Sequence, residues 1–383
     1  MHRDDEQPAI VIRVEHVDSM ASAGTVRAVL SGALAREQLA EAVRAAGGTV
    51  AASHGRHRVS VVPQRLVEAL GHRADPHVAH LVDEALTDAV DSWLGGSPDL
   101  ILRDGRILPT GSRTVVQGVL NVTPDSFSDG GAHLGPQGDV GPAIEAGRTL
   151  AAAGADVVDV GGESTRPGAA AVPVEEELAR TEPVVRALAA DGILVSIDTT
   201  KAVVARAAVE AGAAIVNDVS AGALDPDLYP TVAELGVPYV LMHMQGTPRT
   251  MQRAPTYDDV VAEVYDHLAT QLERLEAVGV AGDQIIVDPG IGFGKTVQHN
   301  VTLLHHLRQL TGLGRPVLVG ASRKSFIGAL TGVDDAADRL EGSLAVAALA
   351  VAGGARIVRV HEVRETVRVV AVADAISAPA RSG

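Results

Sequence analysis

Residues 193–220 read ILVSIDTTKAVVARAAVEAGAAIVNDVS. A run of Ile, Leu and Val ends in a polar loop, an Ala-rich helical stretch follows, and a second apolar run begins. A run that is apolar without alternation belongs to a strand covered on both faces, as in a parallel sheet flanked by helices. One strand, loop and helix is therefore written into 28 residues.

Working outward, the same unit recurs from about residue 115 to the C-terminus. The apolar runs are TVVQGVLNV, ADVVDVGG, ILVSID, AAIVNDVS, PYVLMHM, QIIVDPG, PVLVGAS and RIVRVH, eight in all. Helical stretches are expected at 142–153, 175–190, 201–211, 257–277, 297–310 and 336–352. Eight such units within roughly 250 residues predict a closed (β/α)8 TIM barrel over residues 98–383. An open doubly wound sheet is the alternative, and it attaches no meaning to the number eight. Ahead of the first run, LILRDGRILP (100–109) reads as a hairpin turning at Asp104-Gly105. It is placed to plug the N-terminal end of the barrel.

Residues 1–97 are expected to form an N-terminal α/β extension, with strands at 9–14 and 57–62 and helices at 37–46 and 77–94. His54, His57, His72, His77 and His80 lie there without the carboxylate or cysteine spacing of a metal site, and read as surface histidines. The sequence assigns this region no role.

Composition sets outer limits. The net charge of −16 argues against nucleic acid and against an anionic membrane surface. The absence of cysteine excludes disulfides and thiolate chemistry. The N-terminus has no signal-like apolar core, and the longest apolar stretch, 344–351, is too short to span a bilayer. A soluble, cytoplasmic protein is the expectation. Only three lysines and three phenylalanines occur, and all follow strand-like runs: Phe127 in NVTPDSFSDGG, Lys201 in SIDTTK, Phe293 and Lys295 in DPGIGFGK, Lys324 and Phe326 in GASRKSF. Loops after strands are where this architecture carries chemistry.

The polar groups at the eight strand ends are Asn121; Glu163 with Thr165 and Arg166; Asp198; Asn217 with Asp218; His243; Asp288; Ser322 with Arg323 and Lys324; and Arg359 with His361. Any one could be structural, and Asp198 could cap the following helix. All eight ends carrying such groups point to one shared mouth. Asp198, Asn217 and Asp288 suit a neutral ring whose edge offers N–H donors, and Lys324 can donate to a carbonyl on that ring. Arg359 and His361 alternate on the last strand, next to Asn121 on the first, and together form a corner suited to phosphate. GIGFGK is not a phosphate loop, because Pro289 stands where that loop needs glycine. Its turn is expected to bring backbone close to a ligand and to present Phe293 to the mouth.

These segments, with GGESTRPGA, LMHMQGTPRTMQ and RVHEV, resemble the bacterial dihydropteroate synthases from about residue 99 to the end. The resemblance implies a homodimeric barrel of folate synthesis. Such an enzyme joins 6-hydroxymethyl-7,8-dihydropterin pyrophosphate to p-aminobenzoate with Mg2+, and sulfonamides compete with the arylamine. It implies that Asp198, Asn217, Asp288, Lys324 and Arg359 hold the pterin, with Met242 packed on it. Asn121 would meet the metal and pyrophosphate together with Arg359 and His361. Thr165, Arg166, Phe293 and Ser322 would face p-aminobenzoate. Phe127 and Asp129 would lie on a mobile first loop and Arg166 on a second. Glu362 departs from the pattern, where Asp commonly follows the histidine, and the N-terminal extension departs from it too. The alternatives are a pterin-binding paralogue without turnover and a methyltetrahydrofolate–corrinoid methyltransferase. The latter has no need of Thr165-Arg166 and Ser322-Arg323-Lys324 for an arylamine carboxylate.

Overall fold

All eight apolar runs form parallel strands of one sheet: β1 (Val115–Asn121), β2 (Val157–Gly161), β3 (Val195–Asp198), β4 (Ile215–Asp218), β5 (Tyr239–Met242), β6 (Ile285–Asp288), β7 (Leu318–Val319) and β8 (Ile357–Val360). Their pairing order is β6-β5-β4-β3-β2-β1-β8-β7. A bridge between Val287 and Val317 joins the two outer members and closes the cylinder. The doubly wound alternative is thereby excluded, since an open sheet leaves its edges unpaired.

The computed structural model describes residues 11–17, 26–31, 36–53, 56–61, 97–123, 139–164 and 171–377, with Leu66, Ala69 and Val82. Two compact units are distinguished, Met1–Gly96 with Arg308–Gly314, and Ser97–Leu307 with Arg315–Gly383. In the first, the described strands Val11–Val17, Val26–Ser31, Arg56–Val61 and Thr49–Ser53 form an antiparallel sheet in that spatial order. Helix Arg36–Ala45 packs on the last two and buries Ala42 and Val43. The sequence reading located the first and last strands in the chain and the helix, and missed Val26–Ser31 and Thr49–Ser53. The expected helix at 77–94, apart from Val82, lies outside the described residues, as do His54, His72, His77 and His80. His57 lies on a strand.

In the second unit the helices are α1 (Gly141–Ala152), α2 (Val174–Ala190), α3 (Ala202–Ala211), α4 (Leu228–Leu235), α5 (Val260–Ala277), α6 (Val297–His305), α7 (Ser325–Thr331), α8 (Leu340–Ala352) and α9 (Val363–Ser377). Their inner faces are built from small side chains. On α3 the buried residues are Ala202, Val204, Ala205, Ala208 and Ala211, which explains how a chain with 2% aromatics still fills its core. Three helices were not anticipated: α4, α7 and α9. The stretch expected to be one helix over 297–310 is α6 followed by a 3-10 segment, Leu307–Leu313.

The hairpin is present, with Leu100–Ile101 paired to Ile107–Leu108. Leu100, Leu102 and Leu108 share a buried cluster with Val115, Val157, Ile215, Val240, Ile286, Leu318 and Ile357, which lie at or near the starts of seven barrel strands. It therefore plugs the N-terminal end, as the sequence predicts, and leaves the opposite end for the site. Among the described residues no helix is long and apolar enough to cross a membrane.

Candidate active site at the carboxyl ends of the strands

The strand ends deliver a buried polar network. Arg359, on β8, donates from Nε to Asp159 Oδ2 at 2.6 Å and from Nη2 to Asp198 Oδ2 at 2.6 Å. Asp159, in the middle of β2 and fully buried, also accepts from Asn217 Nδ2 at 3.0 Å and from Ser196 Oγ. Gln117 Nε2 donates to Ser196 Oγ at 2.9 Å. One guanidinium thus ties together β2, β3 and, through Asn217, β4. The Arg359 side chain reaches across the barrel, because two buried carboxylates need a cation and Arg359 is within reach. Asp159 was not singled out. Its signal was a lone Asp inside the apolar run ADVVDVGG, where an unpartnered charge would be prohibitively costly.

Asp198 does not cap a helix. The residue at the α3 N-cap is Lys201, whose own side chain makes no capping bond, and the Ala202 N–H donates instead to Asp225 Oδ2. Burial pushes the Asp198 carboxyl up to about 7, against the pull of the Arg359 charge and with a further push from Asp159. Burial also raises Asp288, and Lys324 opposes it. Lys324 responds in the opposite sense: burial lowers it to about 8, and Asp288 holds it up. Burial works against the charge on Arg359 as well, yet Asp159 and Asp198 outweigh it and raise that group further. Perturbed acids and bases gathered in one cleft mark a functional site.

Lys324 Nζ donates to the Ile291 carbonyl and lies 4.5 Å from the centroid of the half-buried Phe293 ring, a cation–π contact. Met242 is buried at the end of β5. Ser322 Oγ lies 2.9 Å from His361 Nδ1, so two residues assigned to different subsites by resemblance touch each other. Pairing of β8 with β1 matches Val360 to Gly118 and brings the strand ends carrying His361 and Asn121 side by side. Asp218 faces away from the mouth. It accepts from Tyr239 OH at 2.6 Å and from the Ser220 and Gly222 N–H groups at 2.7 Å, and so shapes its own loop. Phe127, Asp129, Thr165 and Arg166 lie outside the described residues.

Two glycines of GIGFGK allow a close approach of backbone to backbone. A Cβ on Gly290 would sit 1.9 Å from the His243 carbonyl oxygen, and one on Gly294 would sit 2.4 Å from that of Gln245. At these two glycines the turn presses on the backbone that follows β5. Lys295 bolts this junction. Its buried Nζ lies 2.9 Å from His243 Nδ1, 3.3 Å from the His243 carbonyl and 3.0 Å from that of Phe293. Burial drives both the lysine and His243 down, the latter to about 2. The remaining lysine, Lys201, pairs with Glu163 and with the buried Glu177, which also accepts from Thr199 Oγ1 at 2.6 Å. The three lysines therefore do three things: one faces the mouth, one joins two loops, and one fixes the root of the loop after Glu163.

Among the described residues no three His, Asp or Glu side chains gather into a preformed metal cage. Asn121 offers a single amide oxygen. That donor set fits Mg2+, which takes few protein oxygens and completes its octahedron with phosphate oxygens and water. It does not fit a transition metal that needs several nitrogen or sulfur ligands.

Comparison with known proteins agrees with this geometry. The family described as pterin binding enzyme matches residues 117–361. Dihydropteroate synthase of Escherichia coli K12 is 49% identical over 261 residues, covering 68% of this chain and 90% of its own. The crystal structure of Yersinia pestis dihydropteroate synthase with a sulfonamide drug complex has a TM-score of 0.70 at 43% identity, covering 74% of this chain and 100% of the other. The Xanthomonas albilineans enzyme in complex with 7,8-dihydropteroate has a TM-score of 0.64 at 45% identity, with coverage of 74% and 100%.

Proposed function

The chain belongs to the pterin binding enzyme family, and from that premise we infer that it carries out the dihydropteroate synthase reaction of folate synthesis. The substrates are 6-hydroxymethyl-7,8-dihydropterin pyrophosphate and p-aminobenzoate, and the products are 7,8-dihydropteroate and pyrophosphate. The observation that carries the reading is the set of buried acceptors Asp198, Asn217 and Asp288 at strand ends, with the half-buried donor Lys324 electrostatically coupled to Asp288 and Asp198. A flat heterocycle with N–H groups on one edge and a carbonyl on another complements that arrangement.

The methylene C–O bond breaks with its electron pair on pyrophosphate. The arylamine nitrogen then bonds to the methylene carbon and sheds a proton. Asp198 and Asp288 stabilise the positive charge that develops on the pterin by proximity. Arg359 holds Asp198 in place, and Met242 packs on the ring. Asn121, Arg359 and His361 receive the departing pyrophosphate. Mg2+, held by Asn121 and the pyrophosphate oxygens, would neutralise the charge on the leaving group. Thr165, Arg166, Phe293 and Ser322 face p-aminobenzoate, the site at which sulfonamides compete. Phe127 and Asp129 on the first loop and Arg166 on the second close over the substrates and exclude water, the competing nucleophile.

A homodimer is supported by exposed apolar side chains on neighbouring helices: Leu330 on α7, Leu349 on α8, and Val372 and Ile376 on α9. Sedimentation of the full chain tests it. A cytoplasmic location accords with a chain that has no cysteine to oxidise. The activity is tested by pyrophosphate release from purified protein with both substrates and Mg2+. Release that requires p-aminobenzoate supports the assignment. Tight pterin binding without such release would identify a binding protein.

A further inference from the structure

Asp159 lies on β2 two residues before Gly161, whose register partner is Asp198. It therefore sits one layer beneath the strand ends, on the inner face of the barrel, and no part of it is exposed. Three strands converge on its carboxylate. Oδ2 accepts from Arg359 Nε at 2.6 Å and from Asn217 Nδ2 at 3.0 Å, and Oδ1 accepts from Ser196 Oγ, its register partner on β3. A carboxylate can only accept. The Asn217 amide must therefore turn its nitrogen toward Asp159, which leaves its oxygen and second N–H for whatever lies above. Arg359 is directed in the same way: Nε is committed to Asp159, and Nη2 then meets Asp198 Oδ2 at 2.6 Å. An ion pair of this kind is weak evidence for stability, because apolar residues of similar volume do as well. The plugged end of the same barrel is filled with such residues. What the buried carboxylate supplies is direction, the support that a binding group needs beneath it.

We propose that Asp159 is a positioning residue for the pterin substrate: its carboxylate sets the orientation of the Asn217 amide and, through Arg359, that of the Asp198 carboxylate. Asp159 itself lies too deep to touch either substrate. The proposal rests on the reading above that Asn217 and Asp198 hold the pterin ring. It concerns one substrate, because the partners of Asp159 that reach the mouth are Asn217 and Arg359. Asn217 serves the ring, and Arg359 serves the ring and its pyrophosphate, which belong to the same molecule.

The test measures binding of 6-hydroxymethyl-7,8-dihydropterin pyrophosphate to the full-length chain by calorimetry, with Mg2+ and without p-aminobenzoate. Asp159→Asn keeps shape and removes charge, and should weaken binding about tenfold, as expected for one charge-assisted contact. Ser196→Ala removes one buried hydrogen bond from the same carboxylate but leaves Oδ2 with both its partners. It should change affinity less than about twofold on the same scale. The pH profile supplies a second readout. Asp198 is faced by Arg359 on β8, Asp159 on β2, Glu177 on α2 and Asp218 on β4; Arg359 lowers its carboxyl and the three acids raise it. Affinity should fall as pH drops through about 7 and Asp198 gains a proton. Without the Asp159 charge, Arg359 serves Asp198 alone, so that fall should move to lower pH. A purely structural Asp159 would lower stability and leave the profile in place. If Asp159→Asn does not fold, a crystal structure of the wild type with the pterin pyrophosphate decides. Asn217 Nδ2 should then stay within about 3.2 Å of Asp159 while the amide meets the ring. Equal losses of affinity in the two variants, an unmoved pH profile, or an Asn217 amide turned away from Asp159 in the bound structure would overturn the proposal. Wild-type protein that binds no pterin pyrophosphate would instead refute the functional reading. A wild type that binds it, with Asp159→Asn unaltered, refutes the positioning role alone.

Discussion

The two ends of the barrel are made from the same eight strands and differ in almost every other respect. At the N-terminal end, Val115, Val157, Ile215 and Ile357 close around Leu100, Leu102 and Leu108. At the carboxyl end the same strands terminate in Asn121, Asp198, Asn217, Asp288 and, past β8, His361. The plugged end contributes stability chiefly by burying aliphatic surface. The open end sets unlike charges in low dielectric and relies on a few ion pairs, chiefly Arg359 with Asp159 and Asp198, to keep them there. Stability and chemistry are thus separated along the barrel axis, and a side chain at either end has a predictable kind of importance.

The most severe way to break that separation is Arg359→Ala. It strands two buried carboxylates, so stability should fall by about 3–5 kcal/mol and turnover should be lost with it. A denaturation curve and a pyrophosphate assay check both. If stability were unchanged, the open end would not depend on this cation. Leu100→Ala at the plugged end should cost about 2–4 kcal/mol through the cavity left behind. It should leave kcat/KM per folded molecule at the wild-type value, and an altered kcat/KM would show that the ends are coupled.

Lys324→Ala tests the open end alone. Loss of a half-buried charged donor to the ring carbonyl should weaken pterin binding by about 1.5–3 kcal/mol with the unfolding midpoint little changed. Calorimetry with the pterin decides it. The gentlest probe is pH. As pH falls through about 7, Asp198 gains a proton and loses an acceptor; as it rises through about 8, Lys324 loses its charge. Pterin affinity should therefore peak between those values and fall by up to about tenfold per unit on either side. Asp198→Asn should reduce the acid limb to the part contributed by Asp288, whose carboxyl burial also raises, while sparing the alkaline limb.

What could be read in the sequence follows from periodicity and from type of chemistry. The eight runs were legible because strands covered on both faces are unbroken in apolar character, and the hairpin was legible from Asp104-Gly105. The acceptors Asp198, Asn217 and Asp288 stood out because they interrupt those runs at the point where they end. Asp159 did not, since it lies within a run and its partner Arg359 is 200 residues away in the chain. Lys295 was visible as a rare residue, yet its fixing of the His243 and Phe293 backbones depends on two loops meeting. The helices α4 and α7 are short, and a pattern of seven or eight residues spans too few turns to declare a period.

By itself, then, the sequence determined the number of strands, their parallel sense, the end of the barrel that carries chemistry and the classes of group found there. Those properties are local, since each depends on the order of apolar and polar residues within a single βα unit. Only the tertiary structure decided which charges are paired, that Asp218 faces its own loop while Asn217 turns inward, and that Arg359 crosses to Asp159 and Asp198. Pairing is settled by distance in space. Closing the sheet into a cylinder brings the ends of remote strands within hydrogen-bond reach, and no spacing along the chain encodes that distance.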